Sequence, residues 1–147
     1  MPEASLGAMR RGLRIDELGD LVELPLVAVL GTYRRDGTVL LSPVWHEWRD
    51  SGFDVVTTSA GVKARQLRRD PRASLVVFEP TPPYRGVEVR GRIRLVTVGV
   101  EEAAERIASR YLGAAAGSAY AAATADDLLL RLEPDELRAW DFADEFP

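Results

Sequence analysis

The chain has 147 residues, 46% of them apolar and 29% charged, which is enough apolar material for one buried core. A net charge of −4 lacks the electrostatic footprint of a nucleic-acid binder, and the absence of cysteine excludes disulfides, thiolate catalysis and cysteine metal sites. A lone histidine cannot build a histidine-rich metal centre, and no apolar run approaches the roughly 20 residues of a membrane helix.

Residues 1–12 show little periodicity and are expected to be the loose N-terminal segment of a single domain spanning 1–147. The first 20 residues lack the apolar core and cleavage pattern of a secretory signal, so the expected location is the cytoplasm. From Ile15 to Leu24 the apolar positions Ile15, Leu18, Leu21, Val22 and Leu24 fit a short amphipathic helix stopped by Pro25. Leu26 to Arg34 reads as a first strand, and Asp36-Gly37 as the tight turn of a hairpin. Thr38 to Trp48 is a second strand interrupted at Pro43, which cannot donate to a ladder and predicts a bend, a bulge or an edge. The turn 49–52 leads into a β-branched and aromatic strand, Phe53 to Thr58. Ser59-Ala60-Gly61 breaks it, and Val62 to Arg69 has helical character closed by Asp70-Pro71.

Ala73 to Phe78 is the next strand, followed by a proline-dense loop from Glu79 to Tyr84. Gly86 to Val98 alternates Val87, Val89, Ile93 and Leu95 against Glu88, Arg90, Arg92 and Arg94, with Gly91 marking a bend or close backbone approach. Gly99 to Leu112 is an amphipathic helix. The alanine-rich 113–125 segment is a short helix or an ordered loop. Asp127 to Leu132 and Leu137 to Phe142 read as two last strands around Glu133-Pro134-Asp135. Strand-rich order with short turns favours an antiparallel barrel over a doubly wound parallel sheet.

Two stretches carry chemistry. The junction of strand end and helix start presents Thr57, Thr58 and Ser59 beside Lys63 and Arg65, a donor set that suits a phosphate. Lys63 is the only lysine among 19 basic residues. The competing reading is a solvated basic face made by Lys63, Arg65, Arg68, Arg69 and Arg72. The interrupted strand at Pro43-Val44-Trp45 exposes backbone groups that can edge a flat heterocycle, with an edge-strand kink over core aromatics as the plainer alternative. His46 has no triad partner at a recognisable spacing, and on the alternation it faces away from Trp45, toward the surface. Tyr84 lids a site, forms a dimer contact or anchors a stiff loop. No Walker-type loop, GxGxxG or paired-carboxylate pattern is present.

Taken in order, Asp36-Gly37, Ser42-Pro43-Val44-Trp45, Val56-Thr57-Thr58, the run from Lys63 to Arg72, and Glu88-Val89-Arg90-Gly91 resemble the pyridoxamine 5'-phosphate oxidase-like split β-barrel proteins. Within them the pattern is most similar to the flavin/deazaflavin oxidoreductase branch common in actinobacteria, over residues 15 to 142. The resemblance implies an α+β fold, a six-stranded antiparallel split barrel, paired as a homodimer with cofactors in two interface clefts. It implies that Thr57, Thr58, Ser59, Lys63 and Arg65 hold the cofactor phosphate, with Gln66 close by. Pro43, Val44 and Trp45 then lie along the ring, and Tyr84 approaches from the partner subunit. Relatives that bind flavin usually carry arginine just before the lysine, where this chain has Val62.

The expected function is therefore an oxidoreductase that uses the deazaflavin coenzyme F-420 to deliver hydride to a small unsaturated organic molecule. FMN in the same cleft and a non-catalytic cofactor binder are the alternatives. The sequence singles out no catalytic side chain and leaves that role open; no metal, nucleic acid or membrane partner is expected, and the substrate-lining residues are expected around Trp48, Pro82 to Arg85 and the C-terminal strand. A nucleic-acid barrel using Arg65, Arg68, Arg69, Arg72, Arg90, Arg92 and Arg94 is disfavoured by the net charge of −4.

Overall fold

A computed structural model describes residues 12–124 and 126–144; the loose segment expected at 1–12 lies outside them except for Gly12. Seven strands form one antiparallel sheet: β1 (Ala28–Tyr33), β2 (Val39–Val44), β3 (Glu47–Arg49), β4 (Gly52–Thr58), β5 (Arg72–Phe78), β6 (Gly86–Val96) and β7 (Asp127–Trp140). Helix α1 (Val62–Arg69) joins β4 to β5, and α2 (Val100–Leu112) and α3 (Ala114–Ala121) join β6 to β7. The strand order is β2-β1-β5-β6-β7-β4-β3.

That order explains the barrel. β2 and β3 are opposite edges of the sheet, yet only Trp45 and His46 separate them in sequence. Three residue steps span at most roughly 10 Å, so the sheet must curl until its two edges meet. The covalent link at Trp45–His46 sits at the split.

The count is seven strands rather than the six expected. The predicted second strand is two, because the chain leaves one edge at Val44 and resumes at the other edge at Glu47. The two predicted last strands are one: β7 runs through Pro134, with a register shift opposite Arg90/Gly91. Beyond Leu132 that strand has no β4 neighbour, so the N–H missing at Pro134 breaks no ladder on that side. At Gly91 a Cβ would stand 2.4 Å from the Glu133 carbonyl oxygen, the close approach that its place in the alternation suggested.

The inward positions fill the barrel: Ala28 and Leu30 of β1, Phe53 and Val55 of β4, Leu75 and Val77 of β5, Val87 and Val89 of β6, Leu128, Leu130 and Leu132 of β7. Ala64 and Leu67 of α1 close one opening and Ile15, Leu18, Leu21 and Val22 join the same core. The predicted helix over 15–24 is two 3-10 turns, Ile15–Leu18 and Leu21–Glu23. Gly19 at φ 64 interrupts them, a conformation that suits glycine and ends the helix that the apolar spacing suggested. Arg85 fastens these turns: its guanidinium donates to the Leu18 carbonyl at 2.7 Å and to Asp20 at 2.9 Å, and pairs with buried Glu79 at 2.9 Å. Among the described residues no helix is long and apolar enough to cross a membrane.

Candidate functional site

The two stretches singled out by sequence meet in one cavity of about 350 Å³. Its lining combines Pro43, Val44 and Trp45 with Thr57 and Lys63 from the β4–α1 junction, Ala104, Ile107, Ala108 and Tyr120 from the α2–α3 hairpin, and Val27 and Val56.

The Trp45 side is held by side chains that bond the neighbouring backbone. Tyr111 stacks on Trp45 with centroids 4.9 Å apart and planes 10° apart. Its hydroxyl donates to the Leu26 carbonyl at 2.8 Å and accepts from the His46 N–H at 3.1 Å. Arg110 donates to the carbonyls of Val22 at 3.1 Å and Leu24 at 2.9 Å, and also to that of His46. The chain passing from β2 to β3 would otherwise leave these groups unpaired, and two consecutive residues at the end of α2 satisfy them. Arg106 adds a 3.0 Å pair with Glu47 on β3.

His46 is wholly buried, not at the surface as the alternation suggested. Its ring meets Phe53 edge-on at 5.5 Å, and neither ring nitrogen has a hydrogen-bond partner. Burial, reinforced by the Arg110 charge, pushes its pKa down to about 4. At neutral pH it is an uncharged packing group outside the cavity lining, with no proton-transfer role in view.

The other end is open. Helix α1 begins at Gly61 without a side-chain cap, so the first-turn N–H groups remain available to an anion. A Cβ at Gly61 would stand 2.6 Å from the Thr58 hydroxyl, which explains glycine at this turn. Lys63 projects into the cavity and forms no ion pair among the described residues.

The remaining expected site residues divide. Thr58 is exposed and Ser59 half-buried in the turn, while Arg65 is exposed; none of the three lines the cavity. Gln66 is buried inside, where its amide oxygen accepts from the Thr32 hydroxyl at 2.6 Å; it locks α1 onto β1. Tyr84, at φ 55, lines a separate apolar hollow of about 370 Å³ with Phe78, Glu79, Pro80 and Trp140. Trp48 faces a third hollow beside Leu13 and Pro134. Within one chain, therefore, the α2–α3 hairpin borders the cavity where the loop and C-terminal strand were expected. The amphipathic spacing of α2 foretold a buried face but not that this face borders a hollow. No cluster of metal-ligating side chains occurs among the described residues.

A seven-stranded antiparallel sheet closed through a two-residue link, with a cleft at the closure, defines a split-barrel protein. The chain belongs to the pyridoxamine 5'-phosphate oxidase family, whose pattern matches residues 15–141. Among solved structures it is similar to a conserved hypothetical protein from Mycobacterium tuberculosis, at 25% identity and TM-score 0.77, over 92% of this chain and 89% of that one. It is also similar to an F420 reductase, at 26% identity and TM-score 0.61, over 80% of this chain and 93% of that one. A FAD-binding protein from Mesorhizobium loti shares the fold at 18% identity and TM-score 0.67, covering 90% and 97% of the two chains. No curated protein sequence matches.

Proposed function

We propose that the cavity is half of a cleft for a flat, phosphate-bearing redox cofactor, and that the cofactor is the deazaflavin F-420. The observation that carries this reading is the meeting of Pro43-Val44-Trp45 with Thr57 and Lys63 in one hollow. The residues suit such a group: apolar and aromatic walls for a ring, then an ammonium and uncapped helix N–H groups for a phosphate. Similarity to an F420 reductase supports the deazaflavin over FMN. When bound, the reduced cofactor would supply a hydride to an unsaturated organic acceptor. The protein's part is positional: Arg110 and Tyr111 fix the ring seat, Lys63 anchors the phosphate end, and the α2 wall keeps the middle dry.

A homodimer completes this reading. Val39 and Leu41 of edge strand β2 are 44% and 66% exposed and point outward with Pro43, beside Val29, Tyr33 and Val76 of the neighbouring strands. This apolar face runs directly into the cavity through Val27 and Pro43, so a second copy covering it would also border the cofactor. The loop at Tyr84 is the proposed contribution from that copy. Sedimentation of wild type and Leu41→Glu tests the pairing: the expected result is a dimer that the charge splits, and a wild-type monomer would contradict it.

Titration with F-420 and FMN, read by tryptophan fluorescence, tests the cofactor. Micromolar quenching by the deazaflavin is expected. A protein that purifies yellow with bound flavin would move the assignment to FMN, and no response to either would remove it. Tight binding without turnover of any enone or quinone would make the protein a cofactor carrier.

A further inference from the structure

The α2–α3 wall of the cavity has a feature that cofactor binding alone does not require. Helix α3 reads AAAGSAYA and buries only Gly117 and Ala121. At Gly117 a Cβ would stand 2.2 Å from the Ser109 hydroxyl oxygen and 2.7 Å from the Ser109 Cα and N, so α3 lies closer to α2 than a larger residue would permit. This approach brings Tyr120, three residues on and hence on a neighbouring face, to the cavity mouth. Its ring leans on Trp45 at 5.5 Å and 49°.

The two tyrosines around Trp45 differ sharply. The Tyr111 hydroxyl makes two hydrogen bonds to backbone groups. Tyr120 is 48% exposed, and its hydroxyl makes no hydrogen bond among the described residues. Apart from Tyr120, the cavity's lining hydroxyl is Thr57, which stands at the β4–α1 junction with Lys63. The α2 contribution is Ala104, Ile107 and Ala108, apolar groups that offer a flat molecule no polar contact. Tyr120 is thus a neutral hydrogen-bond donor of the lining, beside the Trp45 indole, and its hydroxyl is not engaged by the described residues.

Resting on the cleft assigned above, we propose that Tyr120 selects and orients the second ligand of this cavity, a flat conjugated molecule with a carbonyl-type acceptor on its edge. The molecule lies against the cofactor ring, and the phenol donates to its acceptor. Gly117 is a positioning residue, because it sets how far Tyr120 reaches over the hollow.

The test uses the whole 147-residue chain loaded with oxidised F-420, so that no turnover occurs. Two probes are compared by equilibrium dialysis: menadione, a flat quinone, and 2-methylnaphthalene, of similar shape without an acceptor. Tyr120→Phe should weaken menadione about fivefold to tenfold, the size of one hydrogen bond, and leave 2-methylnaphthalene within about twofold. Tyr120→Ala should weaken both probes, and Gly117→Ala should weaken menadione with Tyr120 still present. F-420 affinity, measured on the same samples, should stay within about twofold in Tyr120→Phe, which keeps the aromatic wall. Menadione binding unchanged in Tyr120→Phe and Tyr120→Ala, with F-420 bound normally, overturns the role of Tyr120 and leaves the cleft standing. A wild type that binds neither F-420 nor FMN brings down the cleft and this proposal together.

Discussion

The two ends of the cavity are built on opposite principles. Around Trp45–His46 side chains hold the backbone: Tyr111 and Arg110 reach five main-chain groups between Val22 and His46. At Gly61–Lys63 the helix start has no cap and the lysine has no partner among the described residues. Satisfied groups hold a shape, whereas unsatisfied ones are available to a ligand. The ring seat should therefore answer to stability measurements, and the phosphate end to binding measurements.

The sharpest way to break that contrast is Arg110→Ala. Losing a charged donor shared by three carbonyls should cost about 4 kcal/mol in urea unfolding; a cost below about 1 kcal/mol would show that the link between β2 and β3 holds itself. Acid comes next. His46 has an ordinary pKa of 6.5 and a folded one of about 4, so below pH 6.5 the unfolded chain binds a proton that the folded chain refuses. Its contribution is thus intact above pH 6.5 and lost progressively toward pH 4, by about 3 kcal/mol in all. His46→Leu should flatten that part of the pH–stability curve without a penalty at neutral pH, since no ring hydrogen bond is given up.

Tyr111→Phe keeps the stack on Trp45 and removes both hydroxyl bonds, for an expected loss of about 2 kcal/mol. A melting temperature equal to that of wild type would place the rigidity elsewhere.

The two halves of the cavity were legible to different degrees. Lys63 and Pro43-Val44-Trp45 stood out because a lone lysine after a Ser-Ala-Gly break and a proline within a strand are local signals. Arg110 and Tyr111 carried none: they sit 64 and 65 residues from His46 at the end of an ordinary amphipathic helix, and only the tertiary fold gives them a task. Gln66 misled for a related reason. Beside Lys63 and Arg65 it looks like part of a polar cluster, but a helix turns by about 100° per residue, which points it inward to Thr32. The alternation rule failed at His46 because the strand ends at Val44, and period-2 placement does not extend across a link between two sheet edges. The seven-strand count likewise depended on which neighbours each segment finds, which spacing cannot tell.

The most direct test of the account pairs binding and stability in a single variant. Lys63→Ala should weaken F-420 by about tenfold or more, about 1.4 kcal/mol, while its unfolding free energy stays within about 0.5 kcal/mol of wild type. Unchanged affinity in a fully folded Lys63→Ala protein would show that the start of α1 is a solvated basic face and that the cavity does not grip a phosphate.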